Sequence, residues 1–201
     1  MRNILFALVV FAGICRPNAV PEPIVDARMD LDEAVGNADL PDSIRARLRL
    51  VDVRYWSFDG KLHSGQVLCE QRAEKDLTDL FVLIERIRFP IRSAIPVSRW
   101  NGSDSASMAQ DNSSGFAWRT MWGSSTTSWH MRGLAIDLNP RENPAFHRGM
   151  LSPPDGKRLA GSPGTLSDTS QVVKFLNSRG WKWGAHWRRV QDWQHFEKPL
   201  P

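Results

Sequence analysis

The chain is poor in sulphur, carries little net charge, and has no long apolar run beyond its first residues. Of its 201 residues only two are cysteines, Cys15 and Cys69, so no framework of several disulfides is available to hold it. Its 26 basic and 22 acidic residues leave a formal charge of +4. That is too even a balance for a nucleic-acid binder, which concentrates basic residues into a stripe; the HWRR run at 186–189 is too short a cluster to count as one. There is no internal repeat, no low-complexity tract and no second hydrophobic span.

The first residues read as an export signal. Arg2 precedes an apolar run from Ile4 to Cys15, with Pro17 and Pro21 after it, and such a run is too short to span a bilayer. Cleavage after Ala19 makes 1–19 a signal peptide. A lipoprotein signal centred on Cys15 is disfavoured by the bulky Ile14, and the single Arg2 leaves an uncleaved anchor as the other reading. Removing 1–19 takes away Arg2 and Arg16 and no acid, so 24 basic residues face 22 acidic ones. Cys69 is then the sole cysteine. The expected product is a periplasmic or extracellular monomer with no stable membrane span. At this size it rests on its core alone.

What is present is organised around Ser128–Asn139, SWHMRGLAIDLN. Leu134, Ile136 and Leu138 alternate with Ala135, Asp137 and Asn139, the period of a half-buried strand, so Asp137 faces away from the apolar side. Gly133 permits a sharp turn that folds His130 back beside that strand. An imidazole and a carboxylate so placed are two ligands of a catalytic zinc site, which takes three protein ligands and leaves a fourth position to water. The C-terminal DWQHFE run offers His195 as the third, with Asp192 three residues earlier. Each histidine alone reads equally well as an ordinary core or surface imidazole. Their company is more specific: SGFAWR at 114–119, Ser128, GWKWG at 180–184 and HFE at 195–197, in that order.

In that order and spacing, residues 51–197 resemble the zinc D-alanyl-D-alanine carboxypeptidase and L-alanyl-D-glutamate endopeptidase family, the VanX/VanY-type enzymes and phage endolysins that cut peptidoglycan stem peptides. The resemblance implies one zinc ion held by His130, Asp137 and His195, Asp192 as catalytic base, Arg119 as the residue polarising the carbonyl, and Ser128 as a substrate contact. It departs from the carboxypeptidase branches at Asp192, where their pattern has Glu-x-x-His, and so lies nearer the endopeptidases. D-Ala-D-Ala carboxypeptidase is the alternative activity. The fold it implies is shared with the hedgehog signalling domain, which suggests a third reading, a zinc-bearing binding module without catalysis. One geometric condition attaches to Asp192. Residues three apart on a continuous strand point to opposite faces, so it joins His195 only if the chain turns between them.

The remaining chain supplies a frame. Residues 20–50 read as a linker with short helices at Met29–Ala38 and Pro41–Leu50, ahead of a catalytic domain at 51–201. Leu50–Phe58 and Lys61–Glu70 flank Asp59-Gly60, the signature of a type I′ hairpin. Ala73, Leu77, Leu80, Phe81, Ile84 and Ile87 form one helical stripe ended by Pro90. Ile91–Val97 is expected as a strand, 100–113 as a long ordered loop, 114–120 as extended chain carrying Arg119, and 140–168 as an irregular excursion with His147 on the surface. Thr169–Arg179 should be a helix closed by Gly180. Nine tryptophans are many; Trp181, Trp183, Trp187 and Trp193 crowd the C-terminus, mostly as core, and His186 is read as a rim residue. The architecture expected is α+β: one small antiparallel sheet of the hairpin, the 91–97 segment and the Asp137 and His195 strands, with helices packed on one face.

Overall fold

A hairpin buried on both faces carries the rest of the molecule. The computed structural model describes residues 21–119 and 128–199; the signal-peptide reading of 1–19 and the segment 120–127 lie outside them. In chain order the elements are β1 (Ile24–Val25), α1 (Leu31–Val35), α2 (Asp42–Arg45), β2 (Leu48–Trp56), β3 (Leu62–Glu70), α3 (Gln71–Ile87), β4 (Ser93–Ala94), α4 (Asp104–Ala109) and β5 (Asn112–Ser113). They continue with β6 (Ala135–Asp137), β7 (Ala145–His147), β8 (Met150–Ser152), α5 (Gln171–Ser178), β9 (Lys182–Trp183), β10 (Gln191–Asp192) and β11 (His195–Glu197). No helix among the described residues is long and apolar enough to cross a membrane.

β2 and β3 pair antiparallel from Leu48↔Glu70 to Trp56↔Leu62. Alternation sends Val51, Val53, Tyr55, Val67 and Cys69 into the main core, where Leu77, Leu80, Phe81 and Ile84 of α3 meet them. The other face is covered too. Leu48 and Leu68 pack with Ala34 and Val35 of α1, Phe116 and, at the edge, Ile44 of α2. Helices therefore lie on both sides of the hairpin instead of one. The 21–47 segment is tied down further by β1, which runs parallel to β3, and by Asp26, which accepts the Tyr55 hydroxyl at 2.5 Å and faces His63 Nδ1 at 3.0 Å.

Three local expectations are corrected. Only Gly60 of the central hairpin residues has positive φ, at 75°. Gly60 N–H donates to Ser57 O and Ser57 N–H to Lys61 O, both at 2.9 Å, so the connection is a type I turn closed by a glycine bulge rather than type I′. Asp59 accepts the Lys61 N–H at 2.9 Å, which holds it out of the left-handed region. The expected 91–97 strand shrinks to the two residues of β4, paired parallel with β5. The 100–113 stretch is not a loop throughout; Ser103 caps α4 by accepting Ala106 N–H at 3.3 Å.

Nor is there one sheet. The strands form β1-β3-β2, β6-β11-β9, β10-β7-β8 and β4-β5. The excursion at 140–168 thus contributes the β7–β8 ribbon. The hairpin and the Asp137 strand are joined through Ser114–Phe116: Phe116 N–H donates to Leu68 O at 2.6 Å, and Ser114 bridges Asp137. Gly115 sits between these contacts because a Cβ there would lie 2.5 Å from Leu68 O.

Asp111 shows how much polarity this junction buries. It is fully buried with φ 58°, beside Glu142 and 3.6 Å from Arg92 Nε. Burial pushes its carboxyl up to about 7, the Arg141 N–H pulls it down, and Glu142 raises it again. Because the folded pKa exceeds the ordinary 3.8, the folded form holds a proton that the unfolded chain releases. That contribution to stability is full below about pH 4 and is lost as pH rises to about 7. Asp111→Asn keeps the acceptor for Arg141 N–H, suits positive φ and cannot ionise. It should stabilise the protein at pH 8 by roughly 1–2 kcal/mol, several degrees in Tm, and by less at pH 5. Thermal melts at both pH values check this, and a variant melting no higher than wild type at pH 8 contradicts it.

Candidate metal centre

The site begins with a turn that only glycine allows. His130–Arg132 form one turn of 3-10 helix ended by Gly133 at φ 67°, and a Cβ on Gly133 would fall 2.5 Å from Glu70 N. Gly133 O accepts that same Glu70 N–H at 2.9 Å, which docks the turn on the end of β3. Ser128 is buried, and its hydroxyl oxygen accepts the His130 N–H at 3.2 Å. The chain then enters β6, where Ile136 is buried in the core and Asp137 points to the other side.

β11 delivers the third group. It pairs antiparallel with β6 in the register His195↔Asp137, Phe196↔Ile136, and directly opposed residues share a face. Phe196 in the core, stacked 5.9 Å from Trp183, fixes that register, since a one-residue slip would send His195 inward.

His130 Nε2, Asp137 Oδ1 and His195 Nδ1 lie 3.1, 3.0 and 2.9 Å from one another. Tetrahedral zinc ligands at about 2.0–2.1 Å stand about 3.3–3.4 Å apart, so a small widening of this triangle accommodates the ion. The donor set fits as well. His130 Nδ1 donates to Gly115 O at 2.5 Å, which fixes the tautomer and turns the Nε2 lone pair inward. His195 Nε2 faces Glu197 Oε2 at 3.6 Å, leaving Nδ1 toward the centre. Three ligand-type atoms thus converge on one point, an arrangement that suits a cation. Among the described residues this is the one group of three or more such side chains close enough to hold a metal.

The electrostatics agree. Burial works against charge on Asp137, but the charge and hydrogen bond of His130, with those of His195, outweigh it and hold the carboxyl well below the usual range. Burial likewise pulls His195 down, and bonds to Asp137 and Glu197, with the charges of Asp137 and Asp192, push it up to about 10.

Asp192 meets its geometric condition. It ends β10, opposite Ala145 of β7; the chain bends at Trp193 and Gln194 and then joins a different sheet as β11. Burial pushes the Asp192 carboxyl up to about 6, with His195 pulling down, Asp137 pushing up, and His130 and Arg119 pulling down. The charges of His195, Asp137, His130 and Arg119 all act on it, so it lies within electrostatic range of the triad. Its Oδ1 is shielded from solvent and has no hydrogen-bond partner among the described residues. Arg119 reaches the same region: its charge acts on Asp192, and its Nε lies 2.5 Å from Oδ2 of buried Asp104.

The site also uses residues that sequence reasoning missed. Gly115 gives a carbonyl that no side-chain pattern announces. Asp104 was hidden in the Ser/Asp-rich stretch, although Ser103-Asp104 is a helix-start signal. Glu197 could have been found, two residues from His195 on the same strand face. Of the C-terminal tryptophans, Trp181 and Trp183 are core, and Trp187 lies against His195 with ring centroids 5.3 Å apart. His186 is exposed and 2.8 Å from Asp168, and His147 lies in β7 away from the triad.

A family model described as D-alanyl-D-alanine carboxypeptidase matches residues 122–198, the stretch that carries all three triad residues and Asp192. No curated protein and no solved structure matches the chain. The segment that builds the centre is therefore the part of the chain that is similar to D-alanyl-D-alanine carboxypeptidases.

Proposed function

We propose that the chain is a zinc endopeptidase that hydrolyses peptidoglycan stem peptides at L-alanyl-D-glutamate-type bonds. The observation that carries this is the convergence of His130 Nε2, Asp137 Oδ1 and His195 Nδ1 beside a carboxyl, Asp192, with an unpaired oxygen. Held by the triad, zinc would supply a Lewis acid that polarises the scissile carbonyl and acidifies water. Asp192 takes the proton of the attacking water and returns it to the leaving amine. Arg119, held by Asp104, donates to the carbonyl oxygen as charge develops there. Ser128 gives its oxygen to His130 N–H, which leaves its O–H for a substrate carbonyl. Trp187 walls the centre beside His195.

Endopeptidase is preferred over D-Ala-D-Ala carboxypeptidase on two grounds. The shorter acid of Asp-x-x-His is the endopeptidase pattern. An open cavity lined by Trp187, whose indole lies against His195, also adjoins the centre. An endopeptidase needs room for chain beyond both sides of the bond, whereas a carboxypeptidase ends its substrate in a closed pocket. The reading places the protein outside the cytoplasm, after loss of 1–19. Digesting purified muropeptides and weighing the products tests it. Fragments from cleavage after L-Ala are expected. Release of free D-Ala from pentapeptides with the L-Ala-D-Glu bond intact would reverse the order, and binding without hydrolysis would favour the non-catalytic module.

A further inference from the structure

Beyond the indole of Trp187 lies a cavity of about 560 Å³, lined among others by Phe146, Arg148, Arg188, Arg189 and Gln191. We propose that it is a subsite for a free carboxylate of the substrate, two or three residues from the scissile bond. This rests on the peptidase reading above.

The lining has three guanidinium groups and no acid. Arg148, Arg188 and Arg189 are exposed, and no ion pair with a described residue engages any of them. Other arginines of this protein are matched: Arg45, Arg54, Arg141 and Arg179 each stand within 3.3 Å of a carboxylate. His186 on the rim already has Asp168. Three like charges around one concavity repel one another until an anion enters, and the guanidinium fork matches a carboxylate in two parallel hydrogen bonds.

The backbone gives a second, independent sign. Arg148 and Gly149 join β7 to β8 with φ 49° and 81°, both central residues of the turn left-handed. The first such position favours Asn, Asp or Gly, so an arginine there is held in strained backbone, and strain of this kind gathers at ligand sites.

Placement ties the cavity to the metal centre. Phe146 pairs with Gln191 and Ala145 with Asp192; alternation turns Gln191 toward the cavity and Asp192 to the opposite face. Trp187 serves both places, lining the cavity while lying against His195. An extended peptide advances about 3.3 Å per residue, so two or three residues carry a side group past an indole. The aromatic walls and bounded volume suit a peptide carboxylate, and a polyanion would need a longer basic track.

The test uses zinc-loaded protein and two synthetic stem tetrapeptides, one with its carboxylates free and one with them amidated. KM is measured for cleavage, and equilibrium binding is measured in an Asp192→Asn background. Wild type should prefer the free acid by about tenfold or more, increasingly so at low salt. Arg188→Ala/Arg189→Ala should bring the two peptides to equal affinity, and the corresponding lysine pair should restore part of the preference. Absence of a preference in wild type, or its survival in the alanine pair, overturns the subsite. Cleavage of both peptides alike would do so while leaving the peptidase reading intact. An arginine-dependent binding preference without cleavage would leave the subsite standing and remove the peptidase reading.

Discussion

Replacing His130 and His195 together by alanine is expected to leave the purified protein without zinc and without hydrolytic activity, where wild type carries about one zinc per chain. Structural zinc sites bind with roughly 10–16 kcal/mol over four ligands, or about 2.5–4 kcal/mol for each. One histidine lost should therefore weaken binding by roughly a hundredfold to a thousandfold, and both together should leave nothing after dialysis. The reason is local: Asp137 Oδ1 is 3.1 Å from His130 Nε2 and 2.9 Å from His195 Nδ1, so all three atoms must face one ion. Elemental analysis gives the stoichiometry. Because His130 is fully buried, circular dichroism must show the variants folded, and His130→Asn, polar but too short to reach the ion, serves as a second variant. Full zinc occupancy in a folded double variant would remove the assignment.

The three donors were legible because each sits in a short local pattern whose physics survives any tertiary context. Leu134, Ile136 and Leu138 need the core, which turns Asp137 outward, and Phe196 does the same for His195. The long elements were legible for the same reason: β2, β3 and α3 repeat their period over enough residues to be read, and Leu77, Leu80, Phe81 and Ile84 meet Val51, Val53 and Val67 in the core. The other short strands lie in stretches without apolar alternation, so there is no period to read. β4 and β5, the β7–β8 ribbon and the division into separate sheets are set by contacts between distant segments, such as Asn112 Oδ1 accepting from Ile95 N–H at 2.9 Å. Residues 20–50 read as a linker in the sequence because their apolar residues are scattered. Ala34, Val35 and Ile44 find a partner only in the face that Leu48 and Leu68 present. Of the site itself, the backbone carbonyl of Gly115 leaves no trace in side-chain chemistry, and it is what orients His130.

Asp192→Asn should keep the zinc and lose turnover by a factor on the order of 100 or more, the usual contribution of a positioned base. The substitution is nearly isosteric and removes only the ability to take a proton. Asp192 is not a member of the donor triad, so metal content is the control: a variant that loses zinc would make it a ligand or a structural group instead. The pH profile adds a second readout. Burial and Asp137 push the carboxyl up while His195, His130 and Arg119 pull it down, to about 6. A bound dication pulls the same way as those cations. The basic form is therefore lost as pH falls through a value at or below about 6, and kcat/KM should decline on that side. An acidic limb centred above pH 7, or an Asp192→Asn enzyme of undiminished turnover, would take the base role away from this residue.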